Sequence, residues 1–162
     1  MILLSDANIL MDLGHIEAVA ILPRLGSIEV LDVVLSECQH HSQPDLVQQI
    51  IKCGIKIIAT KYEWLSLIDA DPMGRLSVQD SLNLYYAQAF GRVLLTNEKR
   101  LRQLCVEQEV VVHGTLWILK EAYDRKVEHG AQICKWLETL AGLDRRLPKE
   151  EVVSLRKILG CL

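Results

Sequence analysis

Short apolar runs alternate along this chain with longer segments of helical spacing. The opening run Ile2-Leu3-Leu4 ends at Ser5-Asp6, as a buried parallel strand does when it stops at a polar edge. Other runs rich in apolar and β-branched residues have the length of strands rather than of helices. The pattern predicts further strands at residues 55–60, 92–96 and 110–113.

The segments between these runs carry apolar residues at helical spacing. Gly14 is expected to interrupt the first helix and Pro23 to end the second, while Asp45 is placed to cap a later one. Residues 31–35 are interpreted as a short strand that runs into a helix containing Glu37. The predicted helices span residues 7–13, 17–22, 45–52, 61–70, 77–90 and 98–108, with a turn at residues 71–74.

Strands that alternate with helices predict a parallel sheet covered by helices on both faces. We therefore expect an α/β protein with a three-layer α/β/α arrangement in a single domain, residues 1–162. A chain of 162 residues is long enough to bury one self-supporting core. Residues 1–127 form the predicted core, and residues 128–162 add a C-terminal extension of two helices, at residues 131–141 and 149–159.

The amino-acid composition and net charge exclude some classes of protein but do not identify a function. Half of the residues are apolar, 24% are charged and the formal net charge is -3, so no global positive charge attracts nucleic acid. Any RNA binding must then depend on a local basic patch. The apolar runs are far shorter than the roughly 20 residues that cross a bilayer, and no basic leader precedes Asp6. We expect a cytoplasmic protein that does not associate with membranes.

The cysteines give little sign of pairing. Five are present, none in a C-x-x-C pair, and the odd number argues against a closed disulfide framework. We expect reduced, mostly buried thiols at Cys38, Cys53, Cys105, Cys134 and Cys161. The run Cys38-x-His40-His41 is similar to half of a zinc site, but no second ligand pair lies at a suitable spacing, which disfavours zinc.

Four acidic residues have the sequence contexts of metal ligands. Asp6 directly follows the first strand and Glu98 follows the strand at residues 92–96, so both are expected at the carboxyl edge of the sheet, where ligands bind. Glu37 and Asp80 belong to helices, and Asp80 lies on an apolar stripe, where an unpaired carboxylate is costly. Carboxylates without accompanying His or Cys suit Mg²⁺ or Mn²⁺, ions that support phosphoryl transfer.

Four segments of the sequence resemble the PIN-domain ribonuclease family, most closely the small VapC-like toxins and their relatives. The resemblance covers roughly residues 2–125 and is carried by LSDANIL, LSEC, LSVQD and VLLTNEKRLR, which begin at Leu4, Leu35, Leu76 and Val93. It implies that the catalytic, metal-binding acids are Asp6, Glu37, Asp80 and Glu98. The last of these departs from the family, which usually has the shorter Asp at that position.

The resemblance also implies an activity, a cofactor and partners. The activity is the endonucleolytic hydrolysis of single-stranded RNA with Mg²⁺ or Mn²⁺, and the partners are a cognate antitoxin protein and a second copy of the chain. Asn8 and Thr96 would orient a ligand or water beside the acids. RNA phosphates could be held by Lys99, Arg100 and Arg102, although a solvated helix face explains this basic cluster equally well.

Two other functions stay open on the residues alone. A PIN-like module that binds protein or RNA without cutting it would account for Glu98 and for the net negative charge. A phosphatase with Asp6 as nucleophile would need an acid in place of Asn8 to protonate the leaving group, and an amide cannot do so. The three tryptophans are expected in the core or at an interface rather than under nucleobases: Trp64, Trp117 and Trp136.

Overall fold

The computed structural model describes residues 1–39, 42–69, 76–143 and 147–162. The predicted turn at residues 71–74, the last residue of the predicted helix at 61–70, and the His40-His41 pair lie outside the described residues. In the described part of the chain, five strands form one sheet. They are β1 Ile2–Ser5, β2 Ser27–Leu31, β3 Lys56–Ile58, β4 Val93–Leu95 and β5 Val112–His113.

The sheet is parallel throughout, with the strand order β3-β2-β1-β4-β5. The central strand β1 pairs with β4 in a register that places Leu4 beside Leu94 and Ser5 beside Leu95. The residues that follow the two strands are therefore neighbours at the carboxyl edge. This position becomes important for Asp6 and Thr96.

Ten α-helices and one 3₁₀ helix occupy the described ranges. The 3₁₀ helix is Val19–Ile21, and the α-helices are α1 Ala7–His15, α2 Leu22–Leu25, α3 Asp32–Glu37, α4 Leu46–Lys52, α5 Tyr62–Asp69, α6 Val78–Phe90, α7 Lys99–Glu107, α8 Thr115–Asp124, α9 Gly130–Gly142 and α10 Lys149–Leu159.

Helices cover both faces of the sheet, which confirms the predicted three-layer α/β/α fold. The chain passes from β1 to β2 in one direction along the sheet and from β4 to β5 in the other. Since such crossovers are right-handed, α1 and α7 lie on opposite faces. On the face that carries α7, helix α6 packs against α7 and β4. Helix α1 packs against α3, and α2 packs against α8.

The predicted strand at residues 31–35 is wrong. The strand there is β2, Ser27–Leu31, and α3 begins directly at Asp32. The Asp32 carboxylate accepts hydrogen bonds from the backbone N–H of Val33 (2.8 Å) and of Thr60 (3.1 Å). Both bonds hold Asp32 at the first position of α3, just before two β-branched residues, and one of the donors lies 28 residues away in sequence.

The expected effects of Gly14 and Pro23 are also wrong. Helix α1 continues through Gly14 to His15, and a Cβ at position 14 would lie 2.1 Å from Oε1 of Gln43. The glycine is needed because the Gln43 side chain, which donates to the carbonyl of Met11 (3.0 Å), passes directly over the helix. Pro23 lies in the first turn of α2, where its missing N–H and fixed φ are tolerated.

The two C-terminal helices lie where the sequence places them and pack on each other and on α8. They also overturn the expectation of five reduced thiols, because Cys134 and Cys161 form a disulfide with a Cα–Cα distance of 5.7 Å. Cys38, Cys53 and Cys105 are free. An odd number of cysteines excludes complete pairing only, and the packing of α10 against α9 brings together two residues that are 27 positions apart.

A second polar contact joins β2 to the start of β4, at the end of the sheet away from Asp6. Glu29 is buried and accepts hydrogen bonds from Nε of Arg92 (2.7 Å) and from the hydroxyl of Tyr86 (2.9 Å). Arg92 is therefore paired far from the carboxyl edge. The Tyr86 ring packs against Trp64, with centroids 5.4 Å apart, so this tyrosine belongs to the core.

None of the helices in the described ranges is long and apolar enough to cross a bilayer.

Candidate active site

The strand order reverses direction between β1 and β4, and a crevice for ligands is expected at such a switch point. The backbone N–H of Asp6 donates to the carbonyl of Leu95 (3.0 Å), which extends the pairing of the two strands by one residue. Asp6 and Thr96 therefore leave the sheet side by side. The sequence prediction that places Asp6 at this edge is confirmed.

Asp6 is almost completely buried, with 3% of its surface exposed. Its Oδ1 accepts a hydrogen bond from the N–H of Ile9 (2.9 Å) and thereby caps α1, while Oδ2 accepts one from the hydroxyl of Thr96. Desolvation raises the pKa of Asp6 from 3.8 to about 7, although the bonds from Thr96 and Ile9 act in the opposite direction. The negative charges of Asp80 and Asp12 raise this pKa further.

Thr96 links Asp6 to the start of α7. Its side chain is fully buried, and its hydroxyl both donates to Asp6 and accepts the N–H of Glu98 (3.0 Å). The hydroxyl proton is thereby directed toward the carboxylate, since the acceptor position faces the backbone of Glu98. Thr96 therefore holds Asp6 itself, and its predicted role of orienting a ligand or water stays a prediction.

Asp80 is positioned by the N-terminal turn of α6. Ser77 caps this helix by accepting the N–H of Asp80 (3.1 Å), and the Asp80 side chain is half-buried. Burial raises the pKa of Asp80, the charge of Glu98 raises it further, and a hydrogen bond with Ser77 lowers it. Glu98 itself is exposed at the N-cap of α7 and makes no side-chain capping bond.

Glu37 lies at the C-terminal end of α3 and is exposed. Partial burial raises its pKa, and the charge of Asp80 contributes in the same direction. Its buried neighbour Cys38 feels the charges of both Glu37 and Asp6, which, after desolvation, help raise the pKa of this thiol to about 12. The Cys38 thiol therefore stays protonated at neutral pH.

The charge of Asp80 interacts with the charges of the other three acids, so the four carboxylates form one electrostatic group that could bind a cation. Asp80 raises the pKa values of Asp6 and Glu37, and its own pKa is raised by Glu98. The donors are all carboxylate oxygens, the ligand type of hard divalent cations. Within the described residues, however, no three His, Cys, Asp or Glu side chains converge closely enough to form a ready-made metal site. The donor chemistry fits Mg²⁺ or Mn²⁺, and the side chains would need to close around the ion.

The predicted substrate-binding residues separate into two groups. Lys99 and Arg102 line a cavity beside the start of α7, and Nη1 of Arg102 donates to the carbonyl of Thr96 (3.0 Å). Arg100 lies on the same helix and does not line that cavity. Asn8 is exposed in the first turn of α1, two residues beyond Asp6.

Several polar residues at this edge were not identified from the sequence. Asn97 holds Thr115 from both sides, because its Nδ2 donates to the Thr115 hydroxyl (2.7 Å) and its Oδ1 accepts the Thr115 N–H (3.1 Å). The same amide nitrogen lies 3.4 Å from Oδ2 of the buried Asp12. The position of Asn97 directly after a strand was the available signal, as it was for Asp6. Asp12 offered none, since its burial depends on the packing of α1.

The three tryptophans pack in or against the core. Trp64 and Trp136 are buried. Trp117 is only half-buried and lies against the ring of His113, with the two planes 4° apart and the centroids 4.1 Å apart. Both rings reach the wall of the cavity that Lys99 and Arg102 line.

Comparisons with known proteins agree with this architecture. A family model described as PIN domain, DUF3368, matches residues 2–160. Two solved structures share the fold at low identity. A PilT N-terminus domain protein, SSO1118, from the hyperthermophilic archaeon Sulfolobus solfataricus P2 has a TM-score of 0.53 and 12% identity, and the match covers 76% of this chain and 94% of that one. PAE2754 from Pyrobaculum aerophilum has a TM-score of 0.57 and 16% identity, over 75% of this chain and 98% of that one.

No curated protein sequence matches the chain significantly. The two structural similarities, below one-fifth identity, speak for the fold alone. The family match is different in extent, because it spans all five strands and the whole of α10. The chain belongs to the DUF3368 family of PIN domains.

Proposed function

We propose that the protein is an endoribonuclease that cleaves single-stranded RNA with Mg²⁺ or Mn²⁺. PIN domains are generally nucleases and generally use divalent metal ions. The observation that supports the proposal in this chain is the position of Asp6 at the switch point, buried and electrostatically linked to Asp80. A buried acid with a pKa near 7 is a candidate functional group, because two hydrogen bonds compensate its charged form only in part until a cation binds.

In this proposal Asp6, Asp80, Glu37 and Glu98 hold the cation. When bound, the ion would act as a Lewis acid that neutralises charge on the phosphate and lowers the pKa of a water molecule, so no side-chain nucleophile is needed. Thr96 fixes the orientation of Asp6 through its hydroxyl, and the capping bond from Ile9 fixes the other oxygen. Each Asp6 oxygen accepts one of these bonds and retains a lone pair for the cation.

The direct test is cleavage of a labelled single-stranded RNA by purified protein with Mn²⁺, with Mg²⁺ or with EDTA. We expect cleavage with either metal and none with EDTA. Asp80→Asn removes the charge that links the four acids and should slow cleavage roughly a hundredfold or more, the order seen when one electrostatic contact is removed elsewhere. Asp124→Asn is the matched control, since it removes an exposed carboxylate on α8.

The proposal would be contradicted if RNA were cut equally well in EDTA, or if Asp80→Asn cut as fast as the Asp124→Asn control. Equal loss in both variants would point to damage to the fold, which thermal unfolding of each variant detects. Glu98→Gln, paired with Glu107→Gln at the other end of α7, tests in the same assay whether the longer acid takes part.

The finer parts of the proposal concern partners and location. We propose that the protein acts as the toxin of a toxin–antitoxin pair, as a homodimer in the cytoplasm. The toxin role and the dimer are what the resemblance to VapC-like toxins implies. Sedimentation of the purified chain tests the dimer, and growth of cells that express it with and without the product of the adjacent gene tests the antitoxin.

The alternative is a PIN-like module that binds RNA or protein without cutting. Two observations favour it: the described residues contain no ready-made three-ligand site, and Glu98 is exposed in place of the usual Asp. In this case RNA or metal would bind without turnover. The same cleavage assay therefore separates the two functions.

A further inference from the structure

A cavity of about 670 Å³ lies between α7, the connection from β5 to α8, and the start of α10. Its walls include Asn97 and Lys99, the two chain neighbours of Glu98. The cavity therefore begins next to Glu98 in the chain, although none of the four acids lines it. Its volume falls in the range of about 300–1,000 Å³ that small-molecule and cofactor sites occupy.

One part of the wall is aromatic. The imidazole of His113 stacks on the indole of Trp117 with nearly parallel planes, and both side chains are half-buried at the cavity. Desolvation lowers the pKa of His113, and the nearby positive charge of Arg102 lowers it further. The lowered pKa favours the neutral imidazole, and partly exposed aromatic surface of this kind binds any nucleobase by stacking.

Another part of the wall is cationic. Lys99 and Arg102 lie one turn apart on α7, and neither forms an ion pair with any described residue. The approach of Arg102 depends on Gly114, because a Cβ there would lie 3.0 Å from Nη1 of Arg102 and 2.3 Å from Oδ1 of Asn97. Glu151 from α10 also lines the cavity and opposes the binding of an anion.

We propose that this cavity binds one nucleotide of the RNA strand, with its base against the His113–Trp117 pair and its phosphate beside Lys99. The inference rests on the proposed function for the identity of the ligand. A nucleotide fits because the walls combine a stacking surface with unpaired positive charge, which are the two elements of single-strand binding. The subsite would hold the strand so that an adjacent phosphodiester reaches the acids through the Glu98 side.

The test measures binding without cleavage. A fluorescein-labelled single-stranded RNA of ten nucleotides is titrated with the full chain in EDTA, and fluorescence anisotropy gives the dissociation constant. His113→Ala should weaken binding about 5- to 100-fold, the loss expected when one stacked base is released. His113→Phe retains a ring for stacking and should restore most of the affinity.

The charged residues are tested at several salt concentrations. Lys99→Gln should weaken binding and reduce the slope of log K against log salt concentration by about 0.7, the effect of one lost phosphate contact on a single strand. Lys135→Gln, an exposed lysine on α9 that does not line the cavity, should change neither value. Glu151→Gln should tighten binding, whereas Glu150→Gln, its neighbour outside the cavity wall, should leave it unchanged.

The subsite is overturned if His113→Ala binds RNA like the wild type, if Lys99→Gln and Lys135→Gln weaken binding equally, or if the wild type binds no RNA. A loss in His113→Ala that His113→Phe does not restore also counts against it. Cleavage with Mn²⁺ separates the two proposals. If the wild type cuts RNA but the variants bind RNA as tightly as the wild type, only the subsite proposal fails. If the variants lose binding as expected but the wild type never cuts RNA, only the nuclease proposal fails.

Discussion

Two opposing effects act on the ionisation of the Asp6 carboxyl group. Its two oxygens are held by Ile9 and Thr96, which favours the charged form, but the absence of solvent favours the neutral form more strongly. With its pKa raised to about 7, Asp6 is populated in its protonated form at neutral pH when no metal is bound. Metal binding must then release this proton.

Replacement of Asp6 should therefore stabilise the metal-free protein at high pH. The pKa rises from 3.8 in the unfolded chain to about 7 in the fold, so stability is fully present below pH 4 and is lost as the pH rises through 7. Asp6→Asn keeps the capping oxygen and cannot ionise. We expect it to raise the free energy of unfolding at pH 8 in EDTA by about 4 kcal/mol, measured by urea denaturation.

Asp45→Asn serves as the control for this prediction, because Asp45 is an exposed N-cap without a side-chain capping bond. Its substitution should change the unfolding free energy by less than about 0.5 kcal/mol at any pH. A stability of Asp6→Asn that falls between pH 5 and pH 8 as steeply as that of the wild type would contradict the raised pKa.

Individual site residues were predictable to the extent that their neighbours in sequence determine their position. Asp6 follows a strand directly, and this context was sufficient to place it at the carboxyl edge. Asp32 also follows a strand, yet its role in binding Thr60 was missed, since the preceding strand boundary was set four residues too late. That the acids bind metal stays a prediction.

The β2–α3 junction shows why some elements could not be placed. The residues Val33-Val34-Leu35 have the composition of a strand, yet they lie in α3, where the preceding Asp32 accepts hydrogen bonds from Val33 and from the distant Thr60. By contrast, α6 carries its own start signal at Ser77 and its own stop at Gly91, which adopts a left-handed conformation with φ of 68°. The sequence placed α6 to within one residue.

The pairing of α9 with α10 leads to a prediction about the disulfide. The bridge between Cys134 and Cys161 closes a loop of 27 residues, which corresponds to a loss of about 3.5 kcal/mol of chain entropy from the unfolded state. Reduction should lower the free energy of unfolding by about this amount, as measured by urea denaturation with and without dithiothreitol. The Cys134→Ser/Cys161→Ser double variant should not respond to the reductant, whereas Cys53→Ser should respond like the wild type.

Counting the reactive thiols tests whether the disulfide between Cys134 and Cys161 is present. Unfolded protein purified without reductant should show three reactive thiols, those of Cys38, Cys53 and Cys105. Five reactive thiols in this sample would mean that the original expectation of reduced cysteines holds in solution.

The parallel sheet as a whole brings the candidate site together from distant parts of the chain. Asp6 follows β1, Glu37 ends α3, Asp80 lies in α6 and Glu98 follows β4, so more than 90 residues separate the first acid from the last. The alternation of strands and helices predicted this fold class, since it implies a sheet whose carboxyl ends share one edge. The distances between the acids did not follow from the pattern, because they depend on how α3 and α6 pack.

The net charge of the whole chain differs in sign from the local charge beside the candidate site. A net charge of -3 does not attract RNA, yet Lys99 and Arg102 form no ion pair within the described ranges, and both lie beside the acids. The attraction for a strand is therefore local. Cleavage should be strongly salt-dependent if these two residues contact phosphates.

The binding of Mn²⁺ to the metal-free protein tests most directly whether the acids at the switch point form a metal site. Electron paramagnetic resonance of the free ion gives the affinity at pH 6 and at pH 8. We expect Mn²⁺ to bind about tenfold more tightly at pH 8, because Asp6 must lose its proton, and to bind at least about tenfold more weakly to Asp80→Asn. The account would be contradicted by an absence of binding at pH 8, or by an affinity that neither the pH nor the substitution changes.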